Sequence, residues 1–153
     1  MATISSTAAF NMLIGAAVTR AFEDVIDKAY RELQRHVLSD IYSAYYPTHY
    51  IGSGMPLVDS WKREVRFLAG ELYFEPSMLP HDPSNWIHGS QYDGGDTREA
   101  ILDIIARGYG AFNDNSEKRI PARPMWDKFM ADCDAKIDGW IREALIKQGL
   151  PVV

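Results

Sequence analysis

Apolar residues at alternating steps of four and three mark the C-terminal part of the chain as one long amphipathic helix. The apolar stripe consists of Trp126, Met130, Cys133, Ile137, Trp140 and Ala144, and it is widened by Phe129, Ile141 and Leu145. Charged residues stay off the stripe, which predicts a helix with one apolar side packed on one partner surface. Pro124 suits the first helical position, and Gly149 followed by Pro151 predicts the end of the helix.

A second helical pattern covers residues 14–46. Its apolar positions are Val18, Phe22, Val25, Ala29, Leu33 and Val37. Residues 1–13 precede this pattern and are a candidate flexible arm. They contain no basic residue before the first apolar run, and Arg20 interrupts that run before it reaches the length of a bilayer span. The sequence therefore predicts neither a signal peptide nor a membrane anchor here.

Residues 61–74 alternate between apolar and polar positions, which is typical of a β-hairpin with one buried face. The apolar positions are Trp61, Val65, Phe67, Leu72 and Phe74, and the polar positions of the first strand are Lys62, Glu64 and Arg66. Ala69-Gly70 is the predicted turn. Lys62, Arg63 and Arg66 form a basic cluster, which is more often a solvated strand face than a nucleic-acid site.

Two short elements complete the predicted fold. A glycine-containing loop after Tyr50 ends in a short turn of helix or strand before Trp61. Residues 96–108 form a short helix, because Asp96 and Glu99 make a capping box and Gly108 follows the last turn. The predicted fold class is α+β, in which long N-terminal and C-terminal helices pack on a small antiparallel β-sheet with a short inserted helix. We expect a single domain over residues 1–153.

Composition narrows the function. The chain has 153 residues, of which 46% are hydrophobic, and 16 basic residues against 21 acidic ones give a net charge of −5. This balance argues against a broad phosphate-binding surface, although an acidic surface can line a duct through which DNA slides. The single cysteine, Cys133, cannot form an internal disulfide, and its place on the apolar stripe predicts a small core residue.

The loop over residues 76–95 is rich in Pro, His, Gly, Ser and Asn. A loop of this length in a small domain is usually functional or mobile. His81, Asp82 and His88 are conceivable metal ligands, but their spacing fits no structural zinc pattern. The alternative is a surface loop anchored by Trp86 and Tyr92. Since no catalytic constellation emerges elsewhere, the sequence predicts neither an enzyme nor a cofactor.

Arg123 occupies an unusual position at the start of the last helix. At the predicted cap it places a cation at the positive end of the helix dipole, so capping does not explain it. Two interpretations remain open: a carboxylate from elsewhere in the chain pairs with Arg123, or its side chain is simply solvated.

The segment Ile120-Pro-Ala-Arg-Pro-Met-Trp and the helix after it resemble the end of the tail-completion (neck) proteins of long-tailed bacteriophages. In that family a similar Pro-Ala-Arg-Pro-aromatic motif precedes the last helix. Its members also carry an aromatic residue, a glycine, a leucine and a serine that correspond to Tyr50, Gly54, Leu57 and Ser60. Trp86-Ile-His-Gly is similar to a segment at their subunit contacts. The resemblance covers most of the chain, with its segments in the same order.

This resemblance implies a structural virion protein of the phage neck. Such a protein forms a ring, expected to be a hexamer, at the head-tail junction, where it completes the tail or joins it to the capsid connector and lets DNA pass without specific binding. The implied partners are other copies of the chain, the connector or adaptor protein, and tail terminator or tail-tube proteins, with no membrane. The implied location is the virion, after assembly in the host cytoplasm.

The candidate assembly residues under this interpretation are Trp86, His88, Tyr92, Arg119, Arg123, Trp126, Lys62 and Arg66. Replacement of Arg123 by alanine is predicted to lower ring formation while the protomer stays folded. Two alternatives are a small metal-dependent hydrolase that uses His81, Asp82 and His88, and a monomeric adaptor that binds a partner helix. Metal content tests the first alternative, and molecular mass in solution tests the second.

Overall fold

The computed structural model describes residues 7–43, 56–66, 69–79, 102, 105–106, 122–150 and 152. Their order is α1 (Thr7–His36), a π-helical turn (Val37–Tyr42), α2 (Pro56–Asp59), β1 (Trp61–Arg66), β2 (Ala69–Phe74), a 3₁₀ turn (Pro76–Met78) and α3 (Met125–Lys147). Two long helices and a two-stranded antiparallel sheet confirm the predicted α+β class. Residues 102, 105 and 106 are helical, and the rest of the predicted inserted helix lies outside the described residues.

α1 begins at Thr7 rather than near residue 14. Residues 7–13 are therefore helical, and residues 1–6 lie outside the described part of the candidate arm. The early start has a local cause, since this stretch contains alanine, methionine and leucine, which favour helix, and no proline. The prediction missed it because it required charged residues to mark the second face of the helix.

By its internal contacts the chain divides into two compact units. The first unit takes in the described parts of Met1–Glu32, Lys62–Tyr73 and Ala131–Val153, and the second takes in those of Leu33–Trp61 and Phe74–Met130. The boundaries between the units fall inside α1, β1, β2 and α3.

In the first unit, α1 and α3 pack against each other as antiparallel helices. Ala21 and Val25 form a buried cluster with Ala144, and Trp140, Ile141 and Leu145 pack around it. Ion pairs along the edges fix the register: Asp24 to Lys147 at 2.7 Å, Lys28 to Glu143 at 2.6 Å and Glu32 to Lys136 at 2.8 Å. The residue number of the α3 partner falls as the residue number along α1 rises, as it does for antiparallel helices.

The hairpin packs on the same stretch of α1. An added Cβ at Gly70 would lie 3.5 Å from the side chain of Ile26, so β2 runs close to the helix. Arg63 of β1 pairs with Asp27 at 3.1 Å and lies 5.0 Å from the ring centroid of Tyr30. The predicted strands are confirmed, but Ala69 and Gly70 belong to β2 rather than to the turn.

The buried face of α3 differs from the predicted stripe. Met125, Phe129, Cys133 and Ala144 are buried, whereas Trp126, Met130 and Ile137 are exposed. Cys133 is the small core residue expected, and burial raises the pKa of its thiol to about 11. The apolar residues of α3 cover more of the helix than one partner surface needs, and packing selects the side that contains Phe129.

α3 ends as predicted. Gly149 has φ +75°, and its N–H donates to Ile146 at 2.8 Å while that of Leu150 donates to Leu145 at 3.0 Å. These bonds form the Schellman arrangement, in which a left-handed residue satisfies the last carbonyl groups of a helix. Glycine serves here because a Cβ disfavours this conformation.

Candidate assembly interface

The candidate site lies in the second unit, where α1 ends and α3 begins. α1 passes into the π-helical turn Val37–Tyr42, and Ser43 closes it with an N–H donated to the carbonyl of Leu38 at 2.8 Å. The last carbonyls of a helix have no partner in the helix itself and carry the negative end of its dipole. The turn therefore presents acceptors to groups from elsewhere in the chain.

Arg123 uses one of these acceptors. Its side chain is only 9% exposed, and its guanidinium donates to the carbonyl of Ile41 at 3.2 Å. Its backbone N–H donates to the carbonyl of Ile105 at 3.0 Å. The solvated interpretation of Arg123 is therefore wrong. A cation poorly placed for its own helix is well placed for another one, since it sits at the C-terminal end of the first helix.

Pro124, not Arg123, is the cap of α3. The helix starts at Met125, and the carbonyl of Pro124 accepts the N–H of Lys128 at 3.2 Å. The predicted start of the helix was therefore one residue early. Arg123 stands just outside the helix, and its side chain turns toward Ile41.

Asp40 makes a second link between the same two helix ends. Its carboxylate meets His36 Nδ1 at 3.0 Å and Lys128 Nζ at 3.1 Å. Burial alone raises the pKa of this carboxyl, but the hydrogen bonds with His36 and Lys128 outweigh burial and hold the pKa below its ordinary value. Lys128 is mostly exposed, so the contact with His36 carries the larger share of the stabilisation.

Stacked aromatic rings hold the first turn of α3. Trp126 lies parallel to the buried Trp61, with ring centroids 5.7 Å apart and an interplanar angle of 9°. Phe74 contacts Trp61, and Phe129 contacts Trp126, each at 5.2 Å between centroids. Trp126 is nevertheless 41% exposed, and so is Met130 one turn later. We call these two residues the Trp126 patch.

The described residues of the loop after Tyr50 belong to the framework of this unit. Leu57 and Ser60 are buried. The N–H of Leu57 donates to the hydroxyl of Tyr42 at 3.2 Å, and the carbonyl of Ser60 accepts from the N–H of Glu75 at 2.7 Å. Tyr50 and Gly54 lie outside the described residues.

The predicted assembly residues fall into three groups. Arg123 and Trp126 lie together at the start of α3. Lys62 and Arg66 are exposed on β1, in the other unit. The remaining predicted assembly residues, which lie outside the described part of the chain, are Trp86, His88, Tyr92 and Arg119. The three conceivable metal ligands also lie outside it; they are His81, Asp82 and His88.

The basic cluster of β1 is largely balanced by carboxylates. Arg66 donates to both carboxylate oxygens of Glu64, at 3.1 and 3.2 Å, and this hydrogen bonding lowers the pKa of Glu64. Arg63 is paired with Asp27. Arginines engaged in this way do not form a broad surface for phosphate groups, so the strand matches the solvated-face interpretation.

Sequence reasoning missed Asp40, Ile41 and the exposure of Met130. The spacing of His36 and Asp40, one helical turn apart, was the available signal for the first. Nothing in the sequence marks Ile41, because its backbone carbonyl, and not its side chain, meets Arg123.

No protein-family profile, curated protein or solved structure matches this chain. Among the described residues, no helix combines the length and the apolar character that crossing a bilayer requires.

Proposed function

We propose that this protein is a structural subunit of the neck of a long-tailed bacteriophage. Copies form a ring at the head-tail junction, which completes the tail or joins it to the capsid connector and leaves a passage for DNA. The partners are neighbouring copies, expected to number six, then the connector or adaptor protein and the tail terminator or tail-tube proteins.

The observation that carries the proposal is the geometry of the lead-in to α3. The motif on which the family resemblance rests has a buried arginine that donates to a helix-end carbonyl. This contact supports a structural role for the motif, because it fixes the start of α3 relative to the end of the first helix in the second unit. A rigid start of α3 also fixes where the Trp126 patch faces solvent.

The Trp126 patch supports assembly through the same segment. A tryptophan that is stacked on Trp61 and still 41% exposed loses little side-chain freedom when a partner covers it. Such anchored aromatic residues often dominate the free energy of protein–protein contacts. Contacts between different surfaces of successive copies close a ring when the rotation per copy divides a full turn.

The electrostatics suit a channel for DNA. The net charge of −5 and the pairing of Arg63 and Arg66 with carboxylates argue against tight binding of phosphate groups by β1. DNA passing through such a ring meets a surface on which it slides without sticking.

The test is the assembly state of the purified chain and of two matched variants, measured by light scattering and electron microscopy. Wild-type protein is expected to form rings with a central opening. Met130→Glu, which places a charge in the Trp126 patch, should lower the ring population at least tenfold. Ile146→Glu changes another exposed apolar residue of α3, and it should leave the rings unchanged. Equal behaviour of the two variants would remove the patch from the interface.

Metal content and molecular mass in solution distinguish the two alternatives, a metal-dependent hydrolase and a monomeric adaptor. Stoichiometric zinc or manganese in a monomeric protein would favour the hydrolase that uses His81, Asp82 and His88. A metal-free monomer that also fails to assemble when mixed with neck components would favour the adaptor.

A further inference from the structure

The first part of α1 differs in composition from the rest of α1 and from α3. Residues 7–19 contain no Asp, Glu, Lys, Arg or His. Apart from Ala8, their apolar positions lie on one side that covers roughly two thirds of the helix circumference at 100° per residue; these are Ala9, Phe10, Met12, Leu13, Ile14, Ala16, Ala17 and Val18. A helix with an apolar surface this wide is normally buried on more than one side.

α3 does not extend along this stretch. The register of the ion pairs places Lys147, the last residue of α3, beside Asp24 of α1. The hairpin meets α1 at Ile26, Asp27 and Tyr30. Residues 7–19 therefore extend beyond both packing partners of α1 in the first unit, over about 20 Å at 1.5 Å per residue.

Large apolar side chains in this arm are open to solvent. Phe10 is 49% exposed, Met12 is 71% exposed and Leu13 is 60% exposed. Phe10 also lies on the helical line of Ile14 and Val18, which continues into Ala21 and Val25. Ile14, Ala17 and Val18 are half-buried, so the core contact of α1 with α3 runs on into an arm that is most exposed at Phe10, Met12 and Leu13.

The composition of the arm, residues 7–19, indicates which kind of surface can pack on it. Without a charged residue it offers nothing to nucleic acid or to a charged protein surface. A helix that lies on a membrane usually carries Lys or Arg on its polar face, whereas the polar side of this arm holds Asn11, Gly15 and Thr19. The surface that complements it is neutral, apolar and helical, and another copy of the arm has these properties.

Area sets the number of neighbours. A helix about 20 Å long and 10–12 Å across has a lateral surface of roughly 600–750 Å². A stable interface buries about 800 Å² per partner. Pairing with one other arm covers at most half of this surface, far below that area, and only neighbours on two sides bring the buried area close to it.

We infer that residues 7–19 form an oligomerisation arm that packs against the same segment of neighbouring copies, as a bundle of helices. The inference goes beyond the proposed function, because arm contacts join copies whether or not the assembly belongs to a phage neck.

Two variants with the same added charge test the arm. Leu13→Asp places the charge on the apolar side, and Asn11→Asp places it on the polar side of the same segment. In light scattering of the full chain, Leu13→Asp should shift the dissociation concentration upward at least tenfold, and Asn11→Asp should match wild type. A wild-type chain that is monomeric at all concentrations, or equal effects of the two variants, overturns the inference.

Cysteine cross-linking identifies the occupant. Native Cys133 is buried, so Leu13→Cys supplies the exposed thiol. Oxidation should link two Leu13→Cys chains through this position, giving a disulfide-bonded dimer in denaturing electrophoresis. If Leu13→Cys chains assemble without cross-linking, the arm packs on a different surface and the arm-to-arm contact is wrong. Cross-linked assemblies without a central opening would contradict the neck ring and leave the arm contact standing. Rings that survive Leu13→Asp would contradict the arm contact and leave the neck ring standing.

Discussion

The two ends of α3 are fixed in different ways. At the C-terminal end, Gly149 and Leu150 bond to carbonyl groups of the preceding turn, so every participant lies within a few residues of the others. At the N-terminal end, Arg123 reaches the carbonyls of Ile41 and Ile105, which are distant in the sequence. The first end is a local backbone conformation, and the second is a piece of tertiary structure.

This difference predicts how each end responds to mutation. Loss of a local stop frays one turn of helix, because the residues involved make few other contacts. Loss of a long-range contact leaves buried groups without partners in several elements at once, so its cost is larger.

The largest effect is expected at Arg123. Arg123→Met keeps most of the buried stem but removes the donor to Ile41, and it should lower the free energy of unfolding by about 2–4 kcal/mol. Arg142→Met, an exposed arginine of the same helix, should change it by less than about 0.5 kcal/mol. Urea unfolding measures both. The buried contact replaces the sequence-based expectation that the protomer is unaffected by alanine at Arg123 with an expected loss of stability. Equal stability of Arg123→Met and Arg142→Met would show that the contact with Ile41 contributes nothing.

A smaller, pH-dependent effect is expected at Asp40. Folding lowers the pKa of this carboxyl from an ordinary value of 3.8. Its contribution is therefore complete above that value and is lost as the pH falls through the lower pKa of the folded state. Asp40→Asn should cost about 1–2 kcal/mol at neutral pH, and the difference from wild type should shrink below pH 3.8. A difference that stays constant down to strong acid would exclude the charge of Asp40 as its cause.

The local end should show the smallest effect, and two glycines of the same segment should differ in sign. Gly149→Ala forces a Cβ into a left-handed conformation and should destabilise the protein by about 1 kcal/mol. Gly139 lies inside α3 with no atom within 4 Å of an added Cβ, so Gly139→Ala should stabilise it by about 0.5–1 kcal/mol. Thermal unfolding measures the stability change of both variants. A Gly149→Ala variant more stable than wild type would contradict the role of Gly149 as the left-handed residue that ends α3.

The same contrast explains what the sequence could predict. The Gly149 stop, the strands of the hairpin and the core position of Cys133 depend on local pattern, and each is confirmed. The burial of Arg123 depends on a backbone carbonyl far away in the chain, which no side-chain pattern encodes. The assembly roles of Arg123, Trp126, Lys62 and Arg66 stay predictions.

Errors about helix faces have a physical reason as well. Consecutive residues on a helix differ by about 100°, so a helix with apolar residues on neighbouring lines has more than one possible buried side. Tertiary packing chose Met125 and Phe129 over Trp126 and Met130. In α1 the early start was missed because an apolar segment without charges has no polar face to count.

The π-helical turn Val37–Tyr42 accommodates a specific number of residues between the end of α1 and Ser43. Each turn of a π-helix holds about one residue more than an α-helical turn, so removal of a single residue here would let the segment rewind as an ordinary helix. Everything after it would then rotate, and the Tyr42 hydroxyl would point away from the Leu57 amide that it now meets. A deletion in this segment should therefore be tolerated less well than a substitution at its exposed positions.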